Sequence, residues 1–206
     1  MRFVGTVTRI PELRFGSLRA LDARSLGRYA LELVIIGSSY LVFAKLGWTL
    51  AVAVQPGAPP IWPATGLAWA AVLVRGMRIW PAIFISAWAA SAQFGGAGPV
   101  FACAALAAGS TFGALLGGYL TNLWSGGRKT FDTAAGVAKF TLIASGSSTI
   151  FGAVMGIGRV GLTGYSDWPA FLVSWADWWL GDLAGALVVT PAIVLWVNDI
   201  RSLILR

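Results

Sequence analysis

Histidine is absent from this chain, cysteine occurs once, at Cys103, and acidic residues number only eight. Each scarcity removes a class of chemistry. Without histidine and with a single thiol, the usual ligand sets of haem, zinc and iron–sulfur centres cannot be assembled from this chain alone. The expectation is therefore no metal, no cofactor and no catalytic residue, with Cys103 packed as a small apolar side chain. Charge of either sign is also sparse, at 11% of residues against about a quarter in soluble domains.

What fills the 206 residues instead is apolar: 57% are hydrophobic and the mean hydropathy is +0.76. Stretches of about 20 such residues, enough to cross a ~30 Å hydrocarbon core, recur along almost the whole length. That leaves no room for a soluble catalytic domain. The net charge of +7 does not point to nucleic acid, because the basic residues lie between apolar runs, where they set topology and meet anionic lipid headgroups.

Residues 1–28 carry Arg2, Arg9, Arg14, Arg19, Arg24 and Arg28 among scattered apolar side chains. This reads as a basic cytoplasmic arm lying on anionic headgroups. The run that follows, from about residue 29 to 46, could be taken for a signal peptide cleaved after "AVA" at 51–53. The long basic region and the presence of Glu32 and Lys45 favour a retained first span. Further spans are expected near 61–74, 79–94, 99–123, 134–157 and 169–197, with 47–60 a loop or a partly inserted segment and 198–206 a cytoplasmic tail. The fold class is thus all-α, a polytopic transmembrane bundle of about six spans. Arg75, Arg78, Arg128, Lys129, Arg201 and Arg206 join the arm on one side, against Arg159 on the other, so both termini are expected in the cytoplasm. Small residues at four-residue spacing, Gly109–Gly113–Gly117, Gly152–Gly156 and Gly181–Gly185, are expected to let helices approach closely.

A charged side chain within a span costs about 2.5–3.5 kcal/mol on insertion scales and so has a reason to be there. Glu32 lies one turn after Arg28 and is expected to pair with it or to snorkel. Asp177 lies toward the outer face among Trp168, Trp175, Trp178 and Trp179. Asp182 falls near the middle of the last span and is expected to be buried, accepting hydrogen bonds from Ser, Thr or Trp, held protonated, or paired with a base from another span. Five residues correspond to ~140° around a helix, so Asp177 and Asp182 do not share a face and a two-carboxylate hydrolase is disfavoured.

In "PPIWPATGLAWAAVLVRGMRIWPAIF", Trp62-Pro63 and Trp80-Pro81 open two helices at opposite membrane faces, while Arg75 and Arg78 fix the hairpin between them on the inside. This stretch and "WADWWLGDLAGALVVTPAIVLW" together resemble the MASE1 family of bacterial integral-membrane sensor domains over roughly residues 30–197. The first motif, W-P-x-T-G, places Trp62, Pro63 and Gly66 at family positions. R-G-x-R-x-W-P adds Arg75, Gly76, Trp80 and Pro81, and W-W-x-G-D-x-x-G-x-L-x-x-x-P adds Trp178, Trp179, Gly181, Asp182, Gly185 and Pro191. The resemblance implies a multi-pass sensory or partner-docking module of the bacterial inner membrane, not itself an enzyme, with a protein partner in the membrane. Typical members are larger, so it also implies a shortened one without an output domain. A small transport or channel subunit, with Asp182 and Glu32 lining a polar path, and a structural subunit of a larger membrane complex are the alternatives.

Overall fold

A computed structural model describes residues 23–54, 59–94, 100–146, 149–150, 152 and 168–204. No strand occurs among them. The helices are α1 (Ala23–Val54), α2 (Pro63–Arg75), α3 (Trp80–Phe94), α4 (Val100–Trp124), α5 (Ala134–Lys139) and α6 (Trp168–Ile204). A 3-10 turn at Met77–Ile79 joins α2 to α3, another at Gly127–Asp132 leads from α4 toward α5, and the π-helical stretch Phe140–Ser145 continues α5.

Local chemistry accounts for several of these ends. Pro63 opens α2, where its missing N–H leaves no bond unmade, and Pro81 stands second in α3. Gly76 ends α2 with φ of 83°, a conformation that side chains rarely adopt, and its N–H still reaches the Val72 carbonyl. Thr133 caps α5 by accepting from the Gly136 N–H at 3.1 Å.

Among the described residues, three helices are long and apolar enough to cross a membrane, at Arg24–Val52, Val100–Trp124 and Trp175–Ile200. α2 and α3 form where the second and third spans were expected. With 13 and 15 residues they measure only about 20 and 22 Å, short of a ~30 Å core. The fifth expected span, 134–157, is not one regular helix, since α5 gives way to the π-helical stretch within six residues. Residues 147–148, 151 and 153–167 lie outside the described ones, and with them Gly156, Arg159 and about a third of that span.

Two expected boundaries differ. α1 begins at Ala23, inside the segment read as an arm, and continues to Val54 through residues read as a loop. The reason is that no proline occurs between Pro11 and Pro56, the latter disfavouring helix at the residue ahead of it. α6 runs to Ile204 through most of the expected tail, because neither glycine nor proline follows Pro191. Residues 1–22, most of the basic arm, are outside the described ones.

Contacts give the helix directions. Glu32 meets Arg75 and Gly47 faces Trp62, so α1 and α2 are antiparallel. The Tyr29 hydroxyl donates to the Arg78 carbonyl at 2.8 Å and Gly37 faces Ala82, so α3 runs with α1. Thr65 meets Asp182, Gly66 meets Thr190, and Val194 packs with Ala70 and Leu73, which makes α2 and α6 parallel. One end of the bundle therefore gathers the start of α1, the end of α2, the α2–α3 turn and the later part of α6. The segment after α4 joins them there, with Arg128 donating to the Val74 carbonyl and Asn198 to the Arg128 carbonyl.

α2 is the central element, packed on α1, α4 and α6. Its Trp69 is 1% exposed and meets Phe140 edge-on at 5.4 Å between ring centroids. On α4, Gly117 of the expected stripe makes room for this ring, a side chain of α2. A Cβ at Gly117 would lie 2.1 Å from the Trp69 indole, and one at Gly118 would lie 2.4 Å from Val72. Cys103 is buried, as expected. The outer faces of α1 and α6 are apolar and exposed, with Val34, Val42, Val188 and Trp196 among their side chains.

Candidate functional site: the seam between α2 and α6

In lipid, apolar faces gain little by meeting each other, so helices associate through close packing and interhelical hydrogen bonds. The α2–α6 seam has both. The Trp62 N–H donates to the Gly181 carbonyl at 2.8 Å, the Thr65 hydroxyl to Asp182 Oδ1 at 2.6 Å, and the Thr190 hydroxyl to the Gly66 carbonyl at 3.0 Å. Glycine makes these bonds reachable. A Cβ on Gly66 would stand 2.2 Å from the Gly185 carbonyl oxygen, one on Gly185 2.1 Å from that of Trp62, and one on Gly181 2.4 Å from that of Pro59. All three obstacles are backbone, which cannot swing aside.

Asp182 is buried, at 7% exposure, and its partner is a threonine of another helix. Hydrogen bonding to a hydroxyl, one of the alternatives open in the sequence, is realised, and no lysine or arginine among the described residues forms an ion pair with Asp182. At 2.6 Å the contact has the length of a strong hydroxyl-to-carboxyl bond. Asp177 is exposed, so the two acids do occupy different faces of α6. Around the seam, Trp62 lies tilted against Trp178 with ring centroids 6.2 Å apart, and Trp175 stacks on Trp179 at 5.8 Å. Pro191 sits inside α6, where it withholds the N–H that the Leu187 carbonyl would otherwise receive.

At the other end of α2 stands a second cluster. Glu32 accepts from Arg75 Nε and Nη2 and from Arg78 Nη2, the latter two at 2.8 Å each. The expected pairing with Arg28 is thereby corrected: the carboxylate faces the α2–α3 turn across the interface, where a two-pronged guanidinium fits it better than a helix neighbour. Arg78 also lies over the Tyr29 ring at 5.9 Å. Trp80 is exposed beside this cluster and takes no part in it. One end of α2 is thus tied to α6 and the other to α1.

Several contributors went unnoticed in the sequence. Thr65 is the clearest, since it occupies the fourth position of the W-P-x-T-G motif already singled out, and a hydroxyl within an apolar span is itself a signal. Thr190, one residue before Pro191, carried the same signal. Tyr40 is 2% exposed, with Ser110, Trp62 and Asp182 near its hydroxyl. Nothing in its sequence context marked it.

A family model for MASE1 matches residues 32–205. The chain belongs to the MASE1 family. MASE1 is a family of membrane-associated sensory domains, and the chain is a membrane sensory module of that type. No curated protein and no solved structure matches the chain. In this MASE1 chain the motif residues are not dispersed: Trp62, Gly66, Gly181, Asp182 and Gly185 meet in one seam, and Arg75 and Arg78 converge on Glu32.

Proposed function

We propose that this MASE1 chain is a six-span sensory module of the bacterial inner membrane, with both ends in the cytoplasm, that works by docking a protein partner in the bilayer and performs no catalysis of its own. The observation that carries the reading is the use made of the motifs. Their polar and small residues go into joining α2 to α6 and to α1, which builds a rigid frame and leaves apolar helix faces outward. Exposed Val34, Val42, Val188 and Trp196 offer surface to lipid or to a partner helix. The helix directions support alternating crossings, because α2 and α6, both expected to run from outside to inside, are parallel, and α1 opposes them.

The bundle end that holds Glu32, Arg75, Arg78 and Arg128 is the one that the positive-inside rule assigns to the cytoplasm. A signal altering the α2–α6 seam would reach that end through α2 itself. The basic residues of the arm add attraction to anionic headgroups, each contributing about 1 kcal/mol near the surface.

The transport reading has one observation in its favour, a polar void beside Asp182, but at about 10 Å³ it has room for one water and no more. The deciding experiment is copurification from native membranes followed by mass spectrometry. A stoichiometric membrane partner is expected. A chain that purifies alone and supports solute flux in liposomes would refute the docking reading in favour of transport.

A further inference from the structure

Arg24 and Arg28 lie one turn apart at the start of α1, and both are exposed. With Gly27 and Leu31 they line one open cleft of about 610 Å³. Gly27 leaves it unfilled, because nothing stands within 4 Å of where a Cβ would be, so a larger side chain there would occupy the cleft without striking a neighbouring helix.

The side of α1 that carries the cleft changes character within one turn. Arg24, Arg28, Leu31 and Ile35 follow one another at spacings of four, three and four, which sets them in one stripe along the helix. The charge ends at Arg28, and beyond it Leu31, Val34 and Ile35 are all more than half exposed. A helix shows this change where it passes from the headgroups into hydrocarbon. The cleft therefore stands at headgroup level with a bare apolar strip running from it into the bilayer.

Charge selects the occupant. The described lining holds two guanidinium groups and no acid, and Glu32, one turn after Arg28, is taken up by Arg75 and Arg78. Arginine grips phosphate oxygens through paired, charge-assisted hydrogen bonds, and here two arginines border one space. A headgroup with its own ammonium would bring a third positive charge to that space.

We propose that the cleft binds one anionic phospholipid, its phosphate between Arg24 and Arg28 and its acyl chains along Leu31, Val34 and Ile35. This deepens the attraction of the arm for anionic headgroups proposed above, from a diffuse field to a shaped site. It requires neither a protein partner nor a particular sidedness.

The test is the thermal unfolding of the full-length chain in detergent, titrated with phosphatidylglycerol, with phosphatidylcholine of the same acyl chains, or with inorganic phosphate. Phosphatidylglycerol is expected to raise the melting temperature saturably, with the other two much weaker. Arg24→Ala and Arg28→Ala are each expected to move half-saturation to about fivefold more lipid. Gly27→Leu leaves every charge in place and fills the cleft. It is expected to weaken the response as much as the loss of an arginine. A Gly27→Leu response equal to the parent's overturns the site while leaving the diffuse attraction standing, and no phosphatidylglycerol response in any variant removes both. Equal shifts with phosphatidylcholine, or a full shift with inorganic phosphate, also overturn the proposal.

Discussion

Thr65 and Asp182 are 117 positions apart in the chain, yet the threonine hydroxyl donates to the carboxylate at 2.6 Å and joins α2 to α6. The bond answers why a chain with eight acidic residues has one in the middle of its last apolar helix. Replacing Asp182 with leucine leaves the Thr65 hydroxyl without its acceptor and is expected to cost about 1–3 kcal/mol. Asparagine keeps an acceptor oxygen in place and is expected to be milder, while Asp177→Asn, at an exposed position, changes stability by less than about 0.5 kcal/mol. Melting temperatures of the three variants in detergent check the order. Asp182→Leu as stable as the parent would remove the node from the account.

The glycines of the seam make a sharper prediction, because their obstacles are carbonyl oxygens. Gly66→Ala and Gly185→Ala force contacts of 2.2 and 2.1 Å against backbone and are expected to separate α2 from α6. Gly117→Ala meets a side chain instead, the Trp69 indole, so a smaller residue at 69 is expected to recover part of the loss. Gly27→Ala has nothing within 4 Å and serves as the control, neutral or stabilising by roughly 0.5–1 kcal/mol through helix propensity. The yield of monodisperse protein and its melting temperature distinguish the three classes.

How far the sequence reached can be judged from particular residues. Hydropathy and the proline starts placed α2, α3 and the long α4 and α6, since burial in lipid and helix opening are local properties. The burial of Asp182 followed from its place in the middle of an apolar span, and its separation from the face of Asp177 from helical spacing. Partners did not follow: Glu32 was expected to pair with Arg28 or to snorkel, but it binds Arg75 and Arg78 across an interface that no periodicity reveals. The same limit hid Tyr40 and the service of Gly117 to Trp69. α1 begins at Ala23 and ends at Val54, and α6 ends at Ile204, beyond the expected spans, because a span is bounded by polarity whereas a helix stops only where its backbone must.

The Glu32 cluster is expected to behave as a unit. Glu32→Gln, which keeps the shape and removes the charge, is expected to cost on the order of 0.5–1.5 kcal/mol, a modest figure because the Arg75 and Arg78 side chains are 40% and 56% exposed. After Arg75→Ala, the further loss from Glu32→Gln is expected to be smaller than in the parent. Equal losses in both backgrounds would show that the pairing adds nothing.

The proposed six crossings with cytoplasmic ends predict the sidedness of reporters fused after Gly95, Gly126, Gly164 and Arg206. Positions 126 and 206 are expected to report cytoplasm, and 95 and 164 the opposite face. A cytoplasmic signal at 95 would mean that the short α2 and α3 do not cross as separate spans.

The central claim is that the two motif stretches exist to join α2 to α6 through Thr65 and Asp182, and a double-mutant cycle measures that bond directly. Thr65→Val, Asp182→Leu and the double variant are compared with the parent by unfolding in detergent. The account predicts that the double variant loses less stability than the two single losses combined, with a coupling of about 1 kcal/mol, because removing both partners leaves neither unsatisfied. Strictly additive losses would contradict it.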